Sequence, residues 1–253
     1  MPISAIAPFA VAANLRSYFE EIFVRAAYVF FPAAAQLDAQ GNRSALRQLY
    51  LFSSRLMFLG SILCGSVAIY WARDFFRLWI GLPYSEPVGY PTVASLFYLL
   101  IVGSMVSVPQ RIGYQVLFAV CKHKLLACLF MIEGASNLLL SLVLVRSYGL
   151  VGVALGTLIP AVMIQGFLQP IFVCRVLEIS LGAYLRQVML PPLLATMTVL
   201  PLLPLVLRLL SFDRPNSWAG LAVSGSMTCL LCLPVVVLLG LTSTSAIRYW
   251  SGL

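Results

Sequence analysis

Residues 115–160 read QVLFAVCKHKLLACLFMIEGASNLLLSLVLVRSYGLVGVALGTLIP, and this stretch decides the fold. Two long apolar runs lie within it, joined by a short loop that contains Arg146, Tyr148 and Gly149. Each run is long enough to cross a hydrocarbon core of about 30 Å, since a helix rises about 1.5 Å per residue. The stretch therefore predicts a transmembrane helical hairpin, and the charged residues 122–124 mark where the chain leaves the bilayer.

The composition of the whole chain agrees with a membrane protein. Hydrophobic residues make up 61% of the sequence and charged residues only 9%, whereas a soluble domain carries about 25% charged residues. Backbone groups in hydrocarbon must find partners within the protein, so spanning elements are helices or closed barrels. Continuous apolar runs lack the alternation of barrel strands. We predict an all-α protein, a polytopic transmembrane helical bundle of about six to seven spans.

The apolar runs predict one transmembrane domain over residues 1–253. Spans are expected at about residues 51–72, 92–120, 125–145, 150–174, 188–210 and 218–241. Residues 1–35 are expected to hold the end of a helix that starts outside the chain, followed by a weak span from about residue 18. Within the span 92–120, Pro109 should kink or interrupt the helix. Residues 73–91 mix aromatic and basic side chains, which suits an interfacial segment.

The weak span carries charges whose spacing is informative. Glu21 and Arg25 are separated by four residues, and this permits a local ion pair on one helix face. A helix of this kind either lies at the membrane interface or lines a wet cavity, and the sequence leaves both interpretations open. Arg55, near the start of the next predicted span, is expected to extend back to the membrane surface.

The sequence excludes several kinds of chemistry. His123 is the single histidine, so neither a histidine-based metal site nor a Ser-His-Asp triad can be assembled. Cys229 and Cys232 form a C-x-x-C pair, but without a second pair they are better explained by packing. Phosphate-binding glycine motifs are absent from the sequence. We therefore expect no cofactor, no catalytic residues, no metal and no nucleic-acid partner.

Charges deep inside the predicted spans are the candidate functional residues. Arg111 and Glu133 should lie about 12 to 14 Å from the same membrane surface, on adjacent antiparallel helices, where they can meet. One interpretation is an ion pair that only lets both charges survive in the membrane. The other is a wet cavity in which Arg111, with Arg55 and Arg25, attracts an anionic substrate while Glu133 tunes that charge. Asn137, one turn beyond Glu133, would extend either arrangement.

Three stretches carry a resemblance to a known family. Residues 30–58 (FFPAAAQLDAQGNRSALRQLYLFSSRLMF), 74–81 (DFFRLWIG) and 113–159 (the hairpin with its basic loop, mid-helix Asn and Gly-rich second arm) resemble polysaccharide flippases of the Wzx type. These belong to the MOP exporter superfamily, with the MATE drug exporters and the lipid II flippases. The resemblance covers nearly the whole chain, but only the C-terminal lobe of that MATE-like fold.

The resemblance implies a function and partners. It implies a flippase module that moves a polyprenyl-linked oligosaccharide across the bacterial cytoplasmic membrane by alternating access of two lobes around a cationic cavity. The partners would be the lipid bilayer, the lipid-linked oligosaccharide, and either a missing N-terminal lobe or a second chain.

Two alternatives remain open from the sequence. A lobe of a MATE-type cation-coupled drug exporter would need intramembrane carboxylates without ion-pair partners, and Glu133 is the acidic residue deep in one of the predicted spans 51–241. A membrane-embedded glycan polymerase or glycosyltransferase would need a sizeable extramembrane loop with catalytic groups. The loops between the predicted spans are too short for that second alternative.

Overall fold

The computed structural model describes residues 6–85, 91–195, 197 and 215–241. Every secondary-structure element within these ranges is a helix. The α-helices are α1 (Ile6–Tyr28), α2 (Phe30–Ala39), α3 (Arg43–Ile80), α4 (Leu82–Ser85), α5 (Val93–Ser107), α6 (Gln110–Ala119), α7 (His123–Pro160), α8 (Gln169–Val176), α9 (Leu181–Tyr184) and α10 (Trp218–Leu241). Two π-helical stretches, Ala161–Leu168 and Leu185–Met189, follow α7 and α9. The all-α class is thus confirmed for the described residues.

Within those residues, three continuous helical stretches are long and apolar enough to cross a membrane. They are Arg43–Ile80, Val93–Ala119 and His123–Val176. Most of the predicted span 188–210 lies outside the described residues.

The predicted hairpin is confirmed by the backbone of α7. Gly149 has φ 59° and ψ −134°, a non-helical conformation that glycine adopts without steric cost. Beyond it the chain turns back on itself, because a Cβ atom added at Gly156 would lie 2.7 Å from the backbone nitrogen of Ser141. Residues fifteen apart in a straight helix would be about 22 Å from each other. The two arms of α7 therefore pack backbone against backbone at Gly152 and Gly156, as small residues in membrane helices allow.

Pro109 acts as predicted. The α5 helix ends at Ser107 and α6 begins at Gln110, because proline provides no backbone N–H for the helical ladder. The α5 helix occupies the centre of the bundle and contacts α1, α3, α7 and the π-helix Ala161–Leu168. Its residues Leu96, Phe97 and Leu100 are fully or almost fully buried.

The first two predicted segments are wrong in their boundaries. The apolar start and the first part of the weak span form one helix, α1, of 23 residues, which is about 34 Å long. No glycine or proline interrupts the charged region between them, and Arg16 forms an i, i+4 ion pair with Glu20 that bridges it.

The third helix is also longer than predicted. The α3 helix begins eight residues before the predicted span 51–72 and ends eight residues after it. Asn42 caps its first turn by accepting a hydrogen bond from the Ala45 backbone N–H at 3.1 Å. Gly81, with φ 77°, ends it. The first part of the predicted interfacial segment 73–91, residues 73–80, is therefore a continuation of α3 rather than a separate element.

Buried side chains form a core at the end of the bundle where the turns after α2, α6 and α8 lie. Tyr50 of α3 stacks on Tyr184 of α9 with ring centroids 5.8 Å apart. Tyr184 in turn accepts a hydrogen bond from the Gln110 side chain at 3.0 Å, and burial raises the pKa of Tyr184 to about 12. This hydroxyl therefore stays protonated at neutral pH and acts as a fixed hydrogen-bonding group.

Candidate functional site

An ionic cluster joins α1 to α5 and α6. Glu20 accepts hydrogen bonds through Oε1 from Arg16 Nη2 at 2.7 Å and from Ser104 Oγ at 2.6 Å. Its other oxygen, Oε2, lies 3.1 Å from Arg111 Nη2. Arg111 also lies over the ring of Tyr114, 5.3 Å from the centroid, in a cation–π contact. One carboxylate is thus shared by two guanidinium groups.

This cluster lies near the middle of a candidate membrane span. Ser104 is in the stretch Val93–Ala119, about 17 Å from its start and about 22 Å from its end at 1.5 Å per residue. Ser104 is 1% exposed, and only 12% of the Glu20 side chain is accessible. The charges are therefore removed from both ends of the helix, where they are costly unless paired.

A second carboxylate near the ionic cluster, that of Glu133, belongs to the first arm of the hairpin. Glu133 of α7 accepts a hydrogen bond from the Gln165 side-chain nitrogen, and Gln165 belongs to the π-helical stretch that follows Pro160. Among the described residues Glu133 has no ion-pair partner within 4.0 Å. The side-chain oxygen of Gln165, Oε1, is buried without a hydrogen-bond partner.

A cavity separates the ionic cluster from Glu133. It has an empty volume of about 310 Å³ and lies between α1, α5, α7 and the π-helix. Besides Arg16 and Glu20, its polar wall includes Ser104, Ser107, Glu133, Thr157 and Gln165. Arg16, Glu20 and Glu133 line the cavity, whereas Arg111, the second partner of Glu20, is not part of its wall. The formal charges of these four residues cancel, so the cluster and the cavity together are not cationic.

The five candidate residues predicted from the sequence differ in their contacts and their exposure. The expected direct pair of Arg111 and Glu133 is wrong, because Arg111 binds Glu20 instead. Asn137 is half-buried one turn beyond Glu133. Arg25 pairs with Glu21 at 2.8 Å, as the four-residue spacing predicted, on the exposed face of α1.

Arg55 differs most from its expected position. It lies twelve residues into α3 and is only 5% exposed, so the prediction that it extends to the membrane surface is wrong. The helix starts much earlier than the apolar run, and this places Arg55 inside the bundle. Arg55 is absent from the wall of the cavity.

Four members of the site were not predicted from the sequence: Arg16, Glu20, Ser104 and Gln165. A signal for the first two was present, since Arg16 and Glu20 have the spacing of a helical ion pair. Ser104 and Gln165 carried no such signal, because serine and glutamine in apolar helices often only satisfy local backbone or side-chain groups. Among the described residues, no group of three or more metal-ligating side chains occurs.

The fold and the site together define a class: an α-helical protein with helices that can span a membrane and with a buried ionic cluster beside a polar cavity. No protein-family model, curated protein or solved structure matches the chain.

Proposed function

We propose that this chain is one lobe of a flippase that moves an anionic polyprenyl-pyrophosphate-linked oligosaccharide across the bacterial cytoplasmic membrane. The observation that carries the proposal is the pair of arginines, Arg16 and Arg111, which share the Glu20 carboxylate near the middle of a candidate membrane span, with Arg16 in the wall of the cavity. Guanidinium groups bind phosphate oxygens with directed hydrogen bonds. A pyrophosphate can therefore take the place of Glu20 as the partner of one arginine.

The cavity is a small space between four helical segments, and its empty volume of about 310 Å³ includes space that is open to the surroundings. A lipid-linked glycan is far larger, so a facing lobe or second chain has to complete the pathway. Transport of this kind needs no covalent step and no catalytic residue.

The proposed membrane arrangement has six or seven spans. The turn at Gly149 divides the stretch His123–Val176 into two antiparallel crossings. The α1 helix packs along α5 and adds a further crossing. The turns that carry Arg43, Lys122 and Arg175 face the cytoplasm under this proposal, in agreement with the excess of basic residues there.

Loss of either arginine of the ionic cluster should impair transport. We expect Arg16→Gln and Arg111→Gln to reduce complementation of a flippase-deficient strain at least tenfold, because each removes a guanidinium that would bind the pyrophosphate. Arg175→Gln, an exposed arginine at the end of α8, is the matched control and should complement normally. The strain should also be tested with a supplied N-terminal lobe. Complementation at the wild-type level by both the Arg16→Gln and the Arg111→Gln variants would contradict the proposal.

A second candidate, a lobe of a cation-coupled exporter, is favoured by Glu133. This carboxylate faces the cavity and lacks an ion-pair partner among the described residues, which is the arrangement that ion coupling requires.

Substitution of Glu133 separates the two candidates. In a cation-coupled exporter, Glu133→Gln should abolish drug export and its response to an imposed proton or sodium gradient. In the proposed flippase, the same substitution should reduce glycan transfer only a few fold, because the amide can still accept a hydrogen bond from Gln165. Transport of a fluorescent cationic drug and of a labelled lipid-linked glycan into proteoliposomes measures both outcomes.

A further inference from the structure

The outer face of α1 carries a stripe of polar side chains, beside the exposed apolar residue Ile22. Asn14, Ser17, Glu21 and Arg25 recur at intervals of three to four residues, and Tyr18 is next to Ser17, which places all five polar residues in a single stripe. All five are exposed; Tyr18 is 66% accessible and the side chains of Glu21 and Arg25 are 54% and 76% accessible. We call these five residues the α1 stripe.

The depth of the stripe follows from the opposite face of the same helix. Glu20 contacts Ser104 in the middle of the candidate span formed by α5 and α6. Glu21 is the next residue, and Arg25 lies about 6 Å further along the axis. Lipid chains offer no hydrogen bonds to these groups, and a charge at such depth is costly. Glu21 and Arg25 neutralise each other, and a polar surface that covers the α1 stripe would satisfy the hydrogen-bonding groups that remain exposed on it.

The hairpin shows the contrasting, lipid-compatible surface of the same chain. Its exposed residues Met131, Leu138, Leu139 and Val143 are all apolar and are at least 60% accessible. They suit acyl chains and offer no group that could bind Glu21 or Arg25. The α1 stripe, in contrast, contains one acid and one base a single helical turn apart.

We infer that the α1 stripe is the interface of a symmetric homodimer, in which it packs against the α1 stripe of a second copy of this chain. A twofold axis brings the same patch from both subunits together. Glu21 of each copy then meets Arg25 of the other, and Asn14 and Ser17 can form hydrogen bonds across the helices. The inference requires only that the chain spans a membrane, and not that it moves a particular substrate. A dimer of this kind also provides the facing lobe that the proposed flippase needs.

Charge exchange between two tagged copies tests the inference. Two differently tagged full-length chains are co-expressed and purified in a mild detergent through one tag. Wild-type copies should co-purify. Glu21→Arg in both copies, or Arg25→Glu in both, should lower co-purification at least tenfold, because each stripe then carries two like charges. Glu21→Arg in one copy with Arg25→Glu in the other should restore at least half of it. Arg175→Glu in both copies is the control and should have no effect.

Cross-linking provides a measurement that keeps the charges intact. Ser17→Cys should give a disulfide-linked dimer in native membranes above the level of the wild-type chain, whose six cysteines set the baseline. Leu139→Cys, on the apolar face of the hairpin, should stay at that baseline. A cross-linked product that contains a different protein, equal dimer from Leu139→Cys, or failure of the mixed charge variants to co-purify would each overturn the homodimer. Because none of these readouts measures transport, failure of the flippase proposal would leave them unchanged.

Discussion

Glu20→Ala should lower the free energy of unfolding by about 3 to 5 kcal/mol, the magnitude typical of removing one partner from a buried ion pair. The substitution leaves the guanidinium groups of Arg16 and Arg111 facing each other without a carboxylate, and it also removes the acceptor of the Ser104 hydroxyl. Unfolding of the purified protein in mixed micelles, followed by circular dichroism at increasing denaturing detergent, measures the change.

The control for this substitution is Glu178→Ala. Glu178 also pairs with an arginine, Arg47, but its side chain is 80% exposed. Exposed ion pairs contribute about 0 to 1 kcal/mol, so the control should remain close to the wild type. A loss below about 1 kcal/mol for Glu20→Ala would show that water or lipid head groups reach the two arginines, and the cluster would then not be a desolvated site.

Gly156→Ala should destabilise the hairpin by about 1 to 3 kcal/mol, since inserted atoms in a close-packed contact force the backbone to move. The added Cβ would lie 2.7 Å from the Ser141 nitrogen and 2.8 Å from its Cα, and backbone atoms cannot turn away as a side chain can. Thermal unfolding of the detergent-solubilised protein and its yield in the membrane fraction measure the effect.

Gly134→Ala is the matched control on the same helix. Its added Cβ would meet nothing within 4 Å, and alanine is favoured over glycine in a helix by up to about 1 kcal/mol. This variant should therefore be as stable as the wild type or more so. Equal destabilisation by both substitutions would mean that the two arms do not pack against each other at Gly156.

Single glycine and proline residues predicted the places where the helical backbone turns or breaks. Gly149 between two apolar runs predicted the reversal of α7, and Pro109 predicted the break between α5 and α6. The length of α1 could not be predicted in the same way. Its charges lower the local hydropathy, and only their contacts with α5 and α6 show that they are buried within a bundle.

The pairings of the ionic site could not be predicted from the sequence. Counting residues from the span ends placed Arg111 and Glu133 at similar depths, but this count does not tell which helix lies next to which. In the structure Arg111 contacts Glu20 of α1, and the π-helical stretch after Pro160 brings Gln165 to Glu133. Neither the position of α1 nor the π-helical register follows from hydropathy.

The length of α3 has a consequence for the surroundings of the protein. Its 38 residues form a rod of about 57 Å, nearly twice the thickness of a hydrocarbon core of about 30 Å. Even at a tilt of about 40° the rod would rise about 44 Å, roughly the full thickness of a bilayer with its head groups. Both ends of the helix would then reach phosphate or water, at Arg43 and at Arg77. A single unbroken helix would extend from one aqueous compartment to the other, so that a movement of one end would be passed to the other end.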